Sequence, residues 1–118
     1  MARRYKNYAA ETGVSYQYFF AFSRRVCRPE GQGTGSDYIF VVTADQKPPF
    51  TLRIFVPARA LEAWRHTHGR DLDPNQMYAL AKMRLFRAFD ELDDLRDAAL
   101  TLLVDETNVE DLLAPLDL

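Results

Sequence analysis

The sequence predicts an α+β fold in which a three-stranded antiparallel meander is followed by helices. Two observations support this fold class. Polar and apolar residues alternate in three segments of the first half, as they do along half-buried strands. After Pro57 the apolar residues recur at spacings of three and four, and residues 75–114 contain neither Gly nor Pro. That pattern is typical of helices, and 118 residues are enough for one domain of this kind.

The first predicted strand runs from Val14 to Val26 and is rich in aromatic residues. Alternation divides its side chains into two rows, with Tyr16, Tyr18, Phe20 and Phe22 on one face and Gln17, Phe19, Ala21 and Ser23 on the other. Several glycines follow, so we expect a flexible hairpin loop after this strand.

The second and third predicted strands are Asp37–Thr43 and Phe50–Val56, and their short connections favour antiparallel pairing. Both faces of the resulting sheet are apolar, because the second face carries Phe19, Ile39, Val41 and Phe55. One face is expected to receive the helices. The other is expected to be covered by the segment Tyr5–Ala10 as a short helix, or by a second subunit or a ligand.

Two helix starts are predicted after the strands. Pro57 suits the first position of a short helix from Ala58 to about Thr67, because the first turn does not need its missing N–H. Asp73, Pro74 and Gln76 form the pattern of a capping box, so a long helix is expected to begin at Pro74.

The end of the long helix is left between residues 92 and 103. Asp90 and Glu91 would be unfavourable at the negative end of a helix, which favours continuation to Leu103. A break near Asp93 is the alternative. The whole chain is predicted to divide into a domain at 1–104 and an acidic segment at 105–118. A capping pattern in the acidic segment predicts a short helix at Val109–Leu113.

An unbroken long helix has a consequence for association, because it would extend past the sheet of one subunit. Its narrow apolar stripe would then need a partner, and a homodimer seam is one prediction. The seam residues are Leu92, Leu95, Ala99 and Leu102. A kinked helix pair that completes the core of a single chain is the other prediction.

Charge is distributed unevenly along the chain. Residues 1–89 carry 14 basic and 7 acidic side chains, whereas residues 90–118 carry 1 and 10. Arg24, Arg25 and Arg28 cluster at the end of the aromatic strand, and this combination suits an anion or a single-stranded nucleic acid. The acidic end raises a further alternative, an inhibitor that imitates phosphates.

The chain offers few residues for chemistry. His66 and His68 with Asp71 and Asp73 are metal-ligand types, but a helical spacing of two keeps the histidines on different faces. Cys27 lies between arginines, yet no base can be assigned to it. We therefore expect no catalytic residues, no metal, no cofactor and no small-molecule substrate.

These observations favour a small non-catalytic protein-interaction module that associates with itself or with another protein through the aromatic sheet or the acidic helix. A nucleic-acid-related protein is the alternative, and a small enzyme ranks last. No apolar run reaches the length of about 20 residues that a membrane helix needs, and no secretory signal is present. With a single cysteine, a cytoplasmic location without membrane contact is expected.

Overall fold

The computed structural model describes residues 4–28, 33–44, 47–92, 95 and 101–118. The described strands are β1 (Lys6–Ala9), β2 (Ser15–Arg28), β3 (Gly33–Ala44), β4 (Phe50–Pro57) and β5 (Thr101–Leu103). The described helices are α1 (Ala58–His68), α2 (Pro74–Glu91) and α3 (Val109–Leu113), and a 3-10 turn at Ala114–Leu116 follows α3. The α+β class is confirmed.

The strands form one curled, mixed sheet in the order β1-β2-β3-β4-β5. β1 to β4 are antiparallel neighbours, and β5 lies parallel to β4. The predicted meander is confirmed, with one further strand at each edge. The short helix predicted for Tyr5–Ala10 is wrong, because Lys6–Ala9 pairs as a strand with the start of β2.

The hydrophobic core lies between the helices and one face of the sheet, which we call the helical face. Its strand residues are Tyr16, Tyr18, Tyr38, Phe40, Val42, Leu52, Ile54 and Val56. Aromatic rings carry much of this packing. Phe89 of α2 stacks on Tyr16 at 4.3 Å between ring centroids, and Tyr78 lies 6.2 Å from Phe40. Buried rings of this size contribute both apolar area and preferred ring geometry.

Helix α2 begins as the sequence predicts. The N–H of Gln76 donates to the Asp73 carboxylate at 2.8 Å, and the N–H of Asp73 donates to the Gln76 side chain at 2.9 Å. Pro74 occupies the first turn, where no N–H is needed. The capping box is therefore confirmed with both of its hydrogen bonds.

The favoured prediction that the long helix continues to Leu103 is wrong. The helix ends at Glu91, and Leu92 is already extended. Asp90 is tolerated there because its carboxylate accepts hydrogen bonds from the Tyr8 hydroxyl at 2.7 Å and from the N–H of Glu11 at 3.0 Å. These two donors offset the unfavourable placement of a negative charge at a helix C-terminus.

The apolar residues after α2 belong to the core of one chain rather than to a helical stripe. Leu95 is 3% exposed, and Leu102 lies on β5 with 6% of its surface exposed. Leu92 packs partly buried against the same core, while Ala99 lies outside the described residues. The predicted placement on one helical stripe is therefore wrong for Leu95 and Leu102, because the helix ends at Glu91 and Leu102 lies on a strand.

The acidic C-terminal segment packs against the rest of the protein. Its predicted helix is confirmed at Val109–Leu113, and Val109, Leu112 and Leu113 all join the core. Asp105 supports the preceding turn by accepting hydrogen bonds from Thr107 and Asn108. The side-chain hydrogen bond from Thr107 is the largest of the causes that lower the pKa of the Asp105 carboxyl.

Candidate interaction surface on the sheet

A β-bulge near Ala21 changes which face of the sheet the end of β2 presents. Phe20 lies opposite Phe40 on the helical face, but the next paired residue, Phe22, lies opposite Ile39. The extra residue reverses the alternation, since side chains in a strand point to opposite faces with a period of two. The predicted row that placed Phe22 with Tyr16, Tyr18 and Phe20 is therefore wrong for Phe22.

The bulge brings arginines onto the face turned away from the helical core, which we call the arginine face. Its members are Phe19, Phe22, Arg24 and Arg28 of β2, Asp37, Ile39 and Val41 of β3, and Arg53 and Phe55 of β4. Among the described residues, this face contributes no side chain to the core cluster under the helices. The sheet therefore presents two chemically different surfaces.

Asp37 organises the arginine face. Its side chain is fully buried, and its Oδ2 accepts a hydrogen bond from Arg28 Nη2 at 2.6 Å. The Nε atoms of Arg24 and Arg53 lie 3.5 and 3.8 Å from the same oxygen. A buried carboxylate needs this kind of compensation, because leaving its charge unpaired away from water is costly.

The arginines around Asp37 carry more positive charge than its one carboxylate can neutralise. Within the part of the chain that the structure describes, three guanidinium groups surround a single negative charge, which leaves this cluster with a formal charge of +2. Nε of Arg28 and Nε of Arg53 are buried without a hydrogen-bond partner among the described residues. Oδ1 of Asp37 is buried without one as well. The cluster therefore retains positive charge and hydrogen-bonding capacity, features that suit a negatively charged partner.

Close packing holds the arginines in place. The Arg28 guanidinium lies 5.1 Å from the centre of the buried Phe55 ring, in a cation–π arrangement. Gly35 makes this packing possible, because a Cβ there would lie 2.5 Å from the Val56 carbonyl oxygen and 2.9 Å from Phe55 Cε1. The absence of a side chain at Gly35 therefore lets the backbone and the Phe55 ring approach each other.

Exposed aromatic rings adjoin the arginines. Phe22 is 49% exposed and precedes Arg24 on the same face. Tyr5 is 37% exposed and contacts Phe19 edge to face, with 4.9 Å between the ring centroids. Large exposed apolar groups next to arginines are characteristic of the central part of binding interfaces.

The structure brings together two of the three arginines predicted as a site. Arg24 and Arg28 share Asp37, whereas Arg25 lies opposite Ser36 and points to the other face of the hairpin. Arg53 was not predicted as part of the site. It lies two residues before Phe55 in the third predicted strand, so strand alternation already placed both side chains on the same face. No feature of the sequence indicated that Asp37 would lie opposite Phe55 and be buried.

The histidines and the cysteine take separate positions. His68 stacks on Trp64 at 4.2 Å between ring centroids, and its Nε2 lies 2.9 Å from Glu110. His66 lines an open depression with Glu62 and Arg65. Cys27 is an exposed free thiol. The described part of the chain contains no group of three or more His, Cys, Asp or Glu side chains that could hold a metal ion.

An open cleft lies between β1, α2 and α3, with a volume of about 320 Å³. Tyr8 lines it, stacked on Phe86 at 4.4 Å and hydrogen-bonded to Asp90. Burial, and then the hydrogen bond to Asp90, raises the pKa of the Tyr8 phenol to about 12. The polar groups of this cleft therefore connect β1 to α2, which is a structural role.

Comparisons with protein-family models, with curated proteins and with solved structures found no match for this chain. Among the described residues, none of the helices combines the length and the apolar content that a membrane crossing requires.

Proposed function

We propose that the protein is a small non-catalytic protein-interaction module and that the arginine face is its binding surface. The helical face is occupied by the chain's own helices, so its aromatic rings are committed to folding. The arginine face combines apolar and charged groups that a partner can contact. Two residues of metal-ligand type have structural partners, since Asp73 caps α2 and His68 pairs with Glu110.

The observation that carries the proposal is the position of Phe22. Burying a phenylalanine contributes roughly 1.5–3 kcal/mol, and this ring is 49% exposed although the same strand buries Tyr16 and Tyr18. It lies beside Arg24, whose side chain is 51% exposed. Aromatic anchors and arginines are among the residues that carry most of the binding energy at protein interfaces.

The proposed interaction includes binding between two copies of this chain. The stripe proposed for a helical seam is unavailable, since Leu95 and Leu102 are buried in the chain's own core. Contact between two copies would therefore use the arginine face. Such a contact brings two clusters of formal charge +2 together, so we expect the dimer to tighten as salt screens the repulsion.

Sedimentation velocity over a range of protein concentrations tests self-association. We expect the unmodified chain to increase in mass with concentration and Phe22→Ala to weaken that increase. Leu118→Ala is the matched control, because Leu118 is also an exposed large apolar residue but lies beside Trp64 of α1 and Leu113 of α3 rather than on the arginine face. A monomer mass at all concentrations would rule out self-association, and an equal effect of both substitutions would rule out the arginine face as the contact.

A second candidate function is binding of single-stranded nucleic acid. One observation favours it: Asp37 neutralises only one of the three guanidinium groups beside an exposed phenylalanine. Bases stack on aromatic rings while arginines contact the phosphates. Fluorescence anisotropy with a labelled oligothymidine tests this function, and binding should weaken steeply as salt rises. Binding that is insensitive to salt, or unaffected by Phe22→Ala, would exclude this surface as a nucleic-acid site.

A further inference from the structure

The last part of β2 has a neighbouring strand on only one side among the described residues. β1 pairs with Ser15–Tyr18, and within the described ranges this pairing ends at Tyr18. From Phe22 to Arg28, β2 pairs with β3 without a shift in register. We call the other side of Phe22–Arg28 the β2 edge, and its backbone offers the regular row of N–H and C=O groups to which a further strand can bind.

The two outer strands of the sheet, β1 and β5, have fewer backbone groups available for pairing with a further strand. The carbonyl of Leu103 in β5 accepts hydrogen bonds from Arg84 Nε at 2.8 Å and from Asn108 Nδ2 at 3.2 Å. β1 is four residues long, and its Tyr8 side chain is tied to α2 through Asp90. Among the described residues, the β2 edge is therefore the longest regular edge that remains available.

The β2 edge is strongly basic. Arg24, Arg25 and Arg28 lie on it, and residues 22–28 contain no acidic side chain. Alternation places Arg24 and Arg28 on the arginine face and Arg25 on the opposite one, so a strand bound here would meet positive charge on both of its faces. Charge complementarity therefore requires carboxylates on the bound strand.

A second copy of β2 does not suit this edge. Antiparallel pairing about a two-fold axis at the middle of the segment would place Arg25 opposite Arg25 of the other copy. Like charges directly opposite each other destabilise a strand pair, and four further arginines would lie within the same seven residue pairs. The arginines thus oppose pairing between identical edges while they favour an acidic strand.

We propose that the β2 edge binds an extended acidic peptide segment of a partner protein as an additional strand. The segment repeats two carboxylate side chains followed by two apolar ones, so that carboxylates lie opposite Arg24, Arg25 and Arg28 and an apolar side chain lies opposite Phe22. This inference rests on the proposed interaction function and specifies the chemistry of the partner and the geometry of its binding.

The first experiment uses the full chain and a fluorescein-labelled nine-residue peptide that repeats Val-Val-Glu-Glu, which places carboxylates on both faces of the strand, with fluorescence anisotropy as the readout. We expect binding that weakens with salt and no binding of the matched peptide that repeats Val-Val-Lys-Lys. Arg25→Glu should lower the affinity about tenfold, because the reversed charge faces the peptide carboxylates. Arg65→Glu makes the same charge change on exposed α1 and should leave the affinity unchanged. Circular dichroism checks that both variants are folded.

The second experiment tests strand addition itself. A bound strand uses every second N–H toward the edge, so two versions of the peptide carry N-methyl groups on alternate sets of residues. Strand addition predicts that one version loses at least tenfold in affinity while the other binds like the unmodified peptide. Equal binding of both versions would overturn the inference, because charge attraction alone does not distinguish them.

Two further outcomes separate this inference from the proposed function. If oligothymidine binds more tightly than the acidic peptide and Phe22→Ala weakens it, the ligand is a single-stranded nucleic acid and the peptide inference is wrong. If the peptide fails to bind while self-association is lost in Phe22→Ala, the inference is wrong and the proposed function stands. If the peptide binds but the unmodified chain never self-associates, the module binds a different protein.

Discussion

The two faces of this sheet are held together by different interactions. The helical face is a packed layer of aromatic and aliphatic side chains, in which Phe40 and Ile54 are fully buried. The arginine face is organised by one buried carboxylate and three arginines, two of which keep 42–51% of their side chains exposed. A single bulged residue in β2 decides that Phe22, Arg24 and Arg28 point to the arginine face rather than to the helical face.

The comparison shows how one small sheet divides stability and binding between its surfaces. Groups on the helical face are shielded from water and are expected to determine the free energy of unfolding. On the arginine face only Asp37 and the groups packed around it are expected to matter for stability, whereas the exposed phenylalanine and arginines remain available to a partner. The following predictions test this division.

The largest difference is expected between two phenylalanines on the two faces. Phe40→Ala removes a fully buried ring from the helical face and should lower the free energy of unfolding by about 3–5 kcal/mol. Phe22→Ala removes a half-exposed ring and should change it by no more than about 0.5 kcal/mol. Urea denaturation measures both values, and similar losses in the two variants would contradict the division of roles.

Asp37 should be the exception on the arginine face. Asp37→Asn removes the negative charge that three arginines share, and we expect a loss of about 3 kcal/mol, the lower end of what breaking a buried ion pair costs. Asp111→Asn on the exposed side of α3 is the control and should have little effect. Added salt should reduce the loss by screening the arginines. An unchanged midpoint of urea denaturation would show that Asp37 does not organise this face.

Removing the N-terminal cap of α2, a helix that packs on the helical face, should lower the free energy of unfolding by a smaller amount. Asp73→Ala removes the carboxylate that accepts the Gln76 N–H and should cost about 1 kcal/mol in thermal or urea unfolding. Asp71→Ala is a close control, since that side chain is 79% exposed and makes only a surface ion pair with Arg65. Equal losses in the two variants would attribute the effect to surface charge rather than to capping.

Alkaline pH should weaken only the helical face. Burial is the largest cause that raises the pKa of Tyr8, to about 12, and of Tyr18, Tyr38 and Tyr78. Because the folded pKa is raised, each neutral phenol contributes stability that is complete below pH 10 and is lost as the pH rises through the folded value. The free energy of unfolding should therefore fall between pH 10 and about 12, and Tyr8→Phe should lessen the fall. Urea unfolding at a series of pH values measures it, and an identical slope in the variant would exclude Tyr8 as a contributor.

Much of the fold follows from local patterns in the sequence. Alternation identified the three central strands, and the capping patterns at Asp73 and at residues 107–110 identified two helix starts, because these signals lie within a few neighbouring residues. The cap at Asp73 is formed, whereas Asn108 at the start of α3 makes no side-chain cap hydrogen bond. β1 was missed because its four residues carry no clear alternation. β5 was missed because Leu102 fits helical spacing as well as strand pairing, and its partner in β4 is distant in sequence.

The candidate site was predictable only in part, for a related reason. Arg24 and Arg28 stand out in the sequence, but the bulge that turns them toward Asp37 is a tertiary adjustment without a residue signature at Ala21. Arg53 joins them through the pairing of β3 with β4, which places it opposite Ile39. Sequence alternation gives the face of each strand, whereas the register between strands decides which charges meet.

The parallel pairing of β5 with β4 has a consequence for the order of folding. The contacts of β1 to β4 join strands that are neighbours along the chain, so they close short loops at a small entropic cost. β5 reaches β4 only after the chain has passed through α1 and α2, and Val104 continues the contact with a hydrogen bond to the Phe55 carbonyl at 3.0 Å. We therefore expect the meander to form early in folding and β5 to dock late, because among the described strands its pairing joins the segments that lie farthest apart in the sequence.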